Sequence, residues 1–268
     1  MRALVLAALA LLLAAPVAAA DTQSASSGAV GATLSWERGD DGVTDMRVTV
    51  TRAGAIAYEA PIDPRGCERA TCTPSGTGDR SVNTADLDGD GDPEVLVDVY
   101  WGGAHCCTVS RILRWDGARY VPIDRNWGNT SYRLEDLDGD GRPELRSADD
   151  RFSYLYGSYA ATVRPVQVLT LQDGQLVDVT RSYPAVIRED RARNGRLARN
   201  AGRYGRTAYA AWAADRYLLG ERRATLQALR RLARRGRLRT DLGNSSRRAQ
   251  RRWIARLDRD LRRFGYSG

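Results

Sequence analysis

The sequence predicts an α+β chain. An N-terminal antiparallel β domain of partial propeller-blade-like repeats is followed by a domain of three to four α-helices. Three observations carry that prediction. Charge changes sign near residue 184: residues 21–184 hold 16 Arg against 26 Asp and Glu, and residues 185–268 hold 24 Arg against 7. Apolar residues alternate in the first part and recur at three- to four-residue spacing in the second. "DLDGDGDPEV" at 86–95 returns as "DLDGDGRPEL" at 136–145, an offset of 50 residues, which is the scale of one blade of a repeat architecture.

In chain order, "MRALVLAALALLLAAPVAAA" has the form of a signal peptide over residues 1–20, with Arg2 as a minimal n-region and Ala18-Ala19-Ala20 before the cleavage site. Its apolar run is short for a bilayer span, and nothing later is as apolar. The expectation is a chain cleaved near Ala20, secreted or held at the cell surface, with no transmembrane segment after cleavage. "MRVTVTRAGAIAYEAP" (46–61) alternates around Ala53-Gly54 and predicts a hairpin. "EVLVDVYW" (94–101) predicts a strand. "SRILRWDGARYVPI" (110–123) and "VQVLTLQDGQLVDVT" (166–180) predict hairpins around Asp116-Gly117 and Asp173-Gly174. The β domain, 21–184, should be a compact partial array or sandwich with its open edges covered.

The domain at 185–268 shows three helical stripes: Tyr209, Trp212, Ala213 and Tyr217; Leu226, Leu229, Leu232 and Ala233; and Trp253, Leu257, Leu261 and Phe264. Ser245 or Ser246 is placed to cap the last. Gly220, Gly236 and Gly243 mark breaks.

The acidic repeat predicts a metal. Five carboxylates in nine residues repel one another unless solvated or neutralised. In the first copy Asp86, Asp88 and Asp90 take positions 1, 3 and 5, Asp92 offers its carbonyl at position 7, and Glu94 stands at position 9. The second copy places Asp136, Asp138, Asp140, Arg142 and Glu144 likewise. Arg at position 7 is acceptable where only a carbonyl is used. Oxygen-only ligands select Ca²⁺ over Zn²⁺ or copper. Position 12 is Val97 or Ser147 rather than the bidentate Glu of an EF-hand, and the following segment is strand-like. With these loops, residues 80–180 resemble the FG-GAP/VCBS family, whose β-propeller blades carry D-x-D-x-D-G-x-x-D/E calcium loops, as in integrin α-chain heads. The resemblance implies a stabilising Ca²⁺ in each loop. "GGAHCCT" (102–108) also looks like a motif of uncharacterised exported bacterial proteins with such loops, which implies no activity.

Four cysteines, Cys67, Cys72, Cys106 and Cys107, imply two disulfides in an exported chain. Three pairings are open; bridges joining the 67–72 loop to the 106–107 segment are favoured over a bond between neighbours. His105 beside the Cys pair suggests a soft metal or redox site, but no second His is present to complete a zinc set.

No G-x-S-x-G elbow, phosphate loop or dinucleotide fingerprint occurs, so no catalytic residue is assigned. The functional expectation is an exported calcium-binding module that acts in binding or adhesion, its ligand an unnamed protein or cell-envelope polymer. The alternatives are an exported hydrolase with its acids outside the two loops, and a binder of anionic surfaces through residues 185–268. Aromatic residues in that half lie on core stripes, which argues against nucleic acid as a specific partner. The opposite charges of the two halves also suggest that the basic helices dock on the acidic β domain.

Overall fold

The computed structural model describes residues 20–39, 42–64, 67, 72–75 and 80–267. The signal-peptide expectation falls on residues 1–19, outside that set.

Three antiparallel sheets follow one another along the chain. The first is a meander of β1 (Asp21–Ser27), β2 (Val30–Gly39), β3 (Gly42–Arg52) and β4 (Ala55–Pro61). The second holds β5 (Thr73–Pro74) and β6 (Val82–Ala85), both paired with β7 (Glu94–Tyr100), then β8 (Thr108–Trp115) and β9 (Tyr120–Gly128). The third runs β10 (Arg133–Glu135), β11 (Glu144–Ala148), β12 (Val166–Gln172) and β13 (Gln175–Asp178). None closes into a barrel. All three predicted hairpins form, two of them over the marked pair of residues and the third over the four residues 116–119, between Trp115 and Tyr120. Arg52 faces Ala55 across Ala53-Gly54, and Gln172 faces Gln175 across Asp173-Gly174. All four turn residues have positive φ, as two-residue hairpin loops require.

The sheets stack face to face. Val95, Val97 and Val99 of β7 join Leu34, Val48 and Val50 of the first sheet in one core. The opposite face of β7 contributes Leu96 to a second core with Leu145, Leu169 and Leu171 of the third sheet. Burial on both faces explains why "EVLVDV" reads as a nearly unbroken apolar run rather than an alternating one. The far face of the third sheet is covered through Val186, which packs on Val166 and Val168.

Val186 belongs to the first of four helices: α1 (Pro184–Asn200), α2 (Gly205–Leu218), α3 (Arg222–Arg234) and α4 (Arg247–Arg263). Pro stands in the first turn of α1, where its missing N–H is harmless. Ser246 caps α4 by accepting from the Ala249 N–H at 3.3 Å. Gly220, Gly236 and Gly243 all adopt positive φ between helices. The three predicted stripes meet in one helical core, which also takes in Phe152 and Tyr156 from the 17-residue connection between β11 and β12. Among the described residues, no helix is long and apolar enough to cross a membrane.

Two expectations are corrected. The disulfides are local, Cys67–Cys72 and Cys106–Cys107, rather than bridges between the two segments. Cys67–Cys72 closes a loop of five residues, where chain entropy opposes closure less than in a long one, and Cys106–Cys107 joins neighbours. Gly103 does permit a close approach, but to its own loop: a Cβ there would lie 2.7 Å from the Cys106 carbonyl. Nor do the basic helices dock on the β domain through charge. Among the described residues, the ion pair that crosses residue 184 is Arg146 with Glu189, an arginine of the sheet on a helical acid. The sheet's acids are held by the sheet's own arginines, including Arg111 on Asp124 and Arg52 on Asp92.

Candidate metal centre

Each acidic loop connects two paired strands. The loop after β6 closes where Ala85 faces Glu94, and the loop after β10 where Glu135 faces Glu144. Within each, the side chain at position 1 folds the backbone around itself. Asp86 accepts from the Gly89 N–H at 2.8 Å and the Gly91 N–H at 3.0 Å. Asp136 does the same with Gly139 at 2.7 Å and Gly141 at 3.0 Å. Such a turn requires left-handed backbone twice, and the glycines supply it with φ of +78° and +87° in the first loop and +82° and +89° in the second.

Among the described residues, two groups of three carboxylates converge closely enough to share an ion: Asp86, Asp88 and Glu94, and Asp136, Asp138 and Glu144. In each group one oxygen per residue lies within 4.8 Å of the others. Asp90 and Asp140, at position 5, stand outside these groups. Their Oδ1 atoms accept from the backbone N–H of residues 92 and 142, both at 2.8 Å. The Asp92 side chain turns away to Arg52 at 2.7 Å, and the Arg142 guanidinium folds back on Asp140.

Glu94 provides the sharpest test of whether a cation fits. It is fully buried. Its Oε2 accepts from the Leu87 N–H at 2.8 Å, while Oε1 is buried with no partner. Burial pushes the Glu94 carboxyl up to about 8; the Leu87 N–H opposes that rise, and the charges of Asp88, Asp90 and Asp86 add to it. An orphaned carboxylate oxygen in a dry site costs about 1–3 kcal/mol. A divalent cation held with Asp86 and Asp88 would supply the missing partner and offset the repulsion together. Glu144 is anchored the same way, from the Leu137 N–H at 2.9 Å.

The two centres differ in their neighbours. Arg114 of β8 sits opposite Glu94 in the ladder's next register and donates to Asp88 at 2.8 Å. At the matching position of the second repeat the register places Thr170, and Asp138 accepts instead from the Tyr183 hydroxyl at 3.3 Å. The loops also touch: a Cβ on Gly89 would lie 2.4 Å from Cδ of Arg142. Sequence reasoning missed Arg114, Arg52 and Tyr183, because their approach depends on strand pairing and chain return across long connections.

No family model matches the chain. It is 32% identical over 161 residues to a probable thylakoid lumen protein of Synechocystis sp., an alignment covering 52% of this chain and 44% of that protein. It is 37% identical over 89 residues to an uncharacterised protein of Sinorhizobium fredii, covering 33% of this chain and 14% of that one. The chain thus spans less than half the length of the curated relatives it matches. A solved Xanthomonas type IV secretion system related protein aligns with 59% of this chain and 92% of its own at 14% identity, with a TM-score of 0.17.

Proposed function

We propose that the chain is an exported calcium-binding β module of FG-GAP/VCBS type that serves in binding or adhesion, at the cell surface or in the surrounding medium. Ca²⁺ is held in the first loop by Asp86, Asp88 and Glu94 and in the second by Asp136, Asp138 and Glu144. The observation that carries this reading is the partnerless buried oxygen of Glu94, a residue whose carboxylate converges with those of Asp86 and Asp88. The all-oxygen donor set favours calcium by its hardness. The apolar leader supports export, as does the name of the cyanobacterial relative, a probable lumen protein. The ion's contribution is to neutralise each acidic turn and fix how β7 and β11 leave it. At tenfold excess over Kd that is about 1.4 kcal/mol per site.

Calorimetric titration of the chain from residue 21 onward tests this. Two calcium ions are expected for the wild type, one for Asp86→Ala, one for Asp136→Ala and none for the double variant, with circular dichroism confirming that each remains folded. An absence of calcium-dependent heat, with a melting temperature indifferent to chelator, would overturn the reading. Arg114 competes with a cation for Asp88, so the first site should be the weaker one. Arg114→Gln is expected to tighten that site by about tenfold and leave the second unchanged, which the same titration resolves.

A further inference from the structure

The packing of α3 against α4 leaves a groove of about 630 Å³ on the helical face of the molecule. Its apolar lining is aliphatic: Leu226 and Ala233 from α3, Ile254 and Ala255 from α4. Ala233 and Ile254 form the floor, and Ala255 lies exposed at the lip. Arg230 and Arg234, four apart on α3, stand on one bank, and Arg251 and Arg259 flank Ala255 on the other. All four are exposed. Among the described residues, none of the four has an ion-pair or hydrogen-bond partner on its guanidinium. The acid at the groove, Asp258, is already neutralised by Arg222 in two contacts of 2.8 and 2.9 Å and also accepts from the Tyr217 hydroxyl at 2.8 Å. The groove therefore combines an apolar slot with uncompensated positive charge on both banks.

We infer that this groove binds an anionic phospholipid, with an acyl chain in the slot and the headgroup phosphate on the arginines. The slot's apolar lining offers methyl and methylene groups, the contacts an acyl chain makes. Guanidinium groups match phosphate oxygens two at a time. The unpaired arginines on both banks suit a charged membrane surface rather than one isolated anion, each being worth about fivefold in affinity there. The inference is independent of the calcium reading.

Co-sedimentation with phosphatidylglycerol or phosphatidylcholine vesicles, in chelator, tests it on the chain from residue 21 onward. Binding is expected to phosphatidylglycerol alone. Ala255→Trp blocks the slot from an exposed helical position and leaves every charge in place; it should weaken binding at least tenfold. Arg230→Gln with Arg251→Gln removes two partnerless charges and should weaken it about thirtyfold. Three results would overturn the inference: no preference for phosphatidylglycerol, Ala255→Trp binding as tightly as the wild type, or binding seen only when calcium is restored. Equal capture of a polyglutamate-rich amphipathic peptide, with the same sensitivity to Ala255→Trp, would replace the lipid by a protein partner and overturn it as well.

Discussion

Asp98→Ala is expected to lower the free energy of unfolding by about 1–3 kcal/mol. Asp98 lies in the middle of β7, on the face turned to the third sheet, with no exposed surface. The Tyr132 hydroxyl donates to both of its oxygens, at 3.1 and 3.0 Å, and the Ser110 hydroxyl donates to Oδ1. Ser110 in turn accepts from the Trp127 indole N–H at 2.7 Å, and the Trp127 and Tyr132 rings stack at 4.8 Å. One carboxylate thus gathers donors from β8 and from the segment leading into β10, tying the second sheet to the start of the third. Alanine would remove a buried acceptor shared by two hydroxyls, the costly direction of hydrogen-bond loss. Asp98→Asn retains an acceptor and should lose less than half as much. Urea unfolding followed by tryptophan fluorescence measures both, and a loss under 1 kcal/mol for Asp98→Ala would show that the network contributes little.

Asp215→Asn should do the opposite at neutral pH and raise stability. Asp215 of α2 and Asp190 of α1 are both buried and share the Asn194 amide, at 2.8 and 2.9 Å. Asp190 also accepts from the Val166 N–H at 2.9 Å and pairs with Arg193 at 2.5 Å. Burial raises the carboxyls of both. Arg193 opposes the rise at Asp190, whereas the Asp190 charge adds to it at Asp215. The folded pair therefore holds a proton more tightly than the same carboxyls do in the unfolded chain. A folded pKa above the unfolded one gives stability that is full below the ordinary carboxylate range and falls as pH climbs above it, until the folded pKa is passed. The slope is up to about 1.4 kcal/mol per pH unit. Asparagine donates to Asp190 at every pH. The variant should match the wild type near pH 4 and exceed it increasingly toward pH 7. Parallel melting profiles across that range would refute this account.

Legibility in the sequence followed the range of the interactions. Turn chemistry marked three hairpins, because Ala53-Gly54, Asp116-Gly117 and Asp173-Gly174 determine their own backbone. The helical stripes at Tyr209–Tyr217, Leu226–Ala233 and Trp253–Phe264 were equally local. The repeated acidic loop was visible down to the positions that converge, 1, 3 and 9. What it did not disclose was that the side chain at position 5 would be occupied with its own backbone. The β1–β2 hairpin escaped notice because Ser, Thr and Ala dilute its alternation. Phe152 and Tyr156 gave no sign of joining the helical core, since the connection that carries them has no period. Arg114 reaches Asp88 only through the β7–β8 register, which residues 101–107 do not encode in any turn signature.

The covering of the third sheet by α1 makes the stack directional. At one terminus Thr33, Ser35, Arg47 and Thr49 form the outward surface of a meander whose other side carries the core residues Leu34 and Val48. At the opposite terminus Val186 seals the place where another layer would sit. Any neighbour that prolongs this pile of sheets must therefore join on the amino-terminal side, and the helices act as its end-stop.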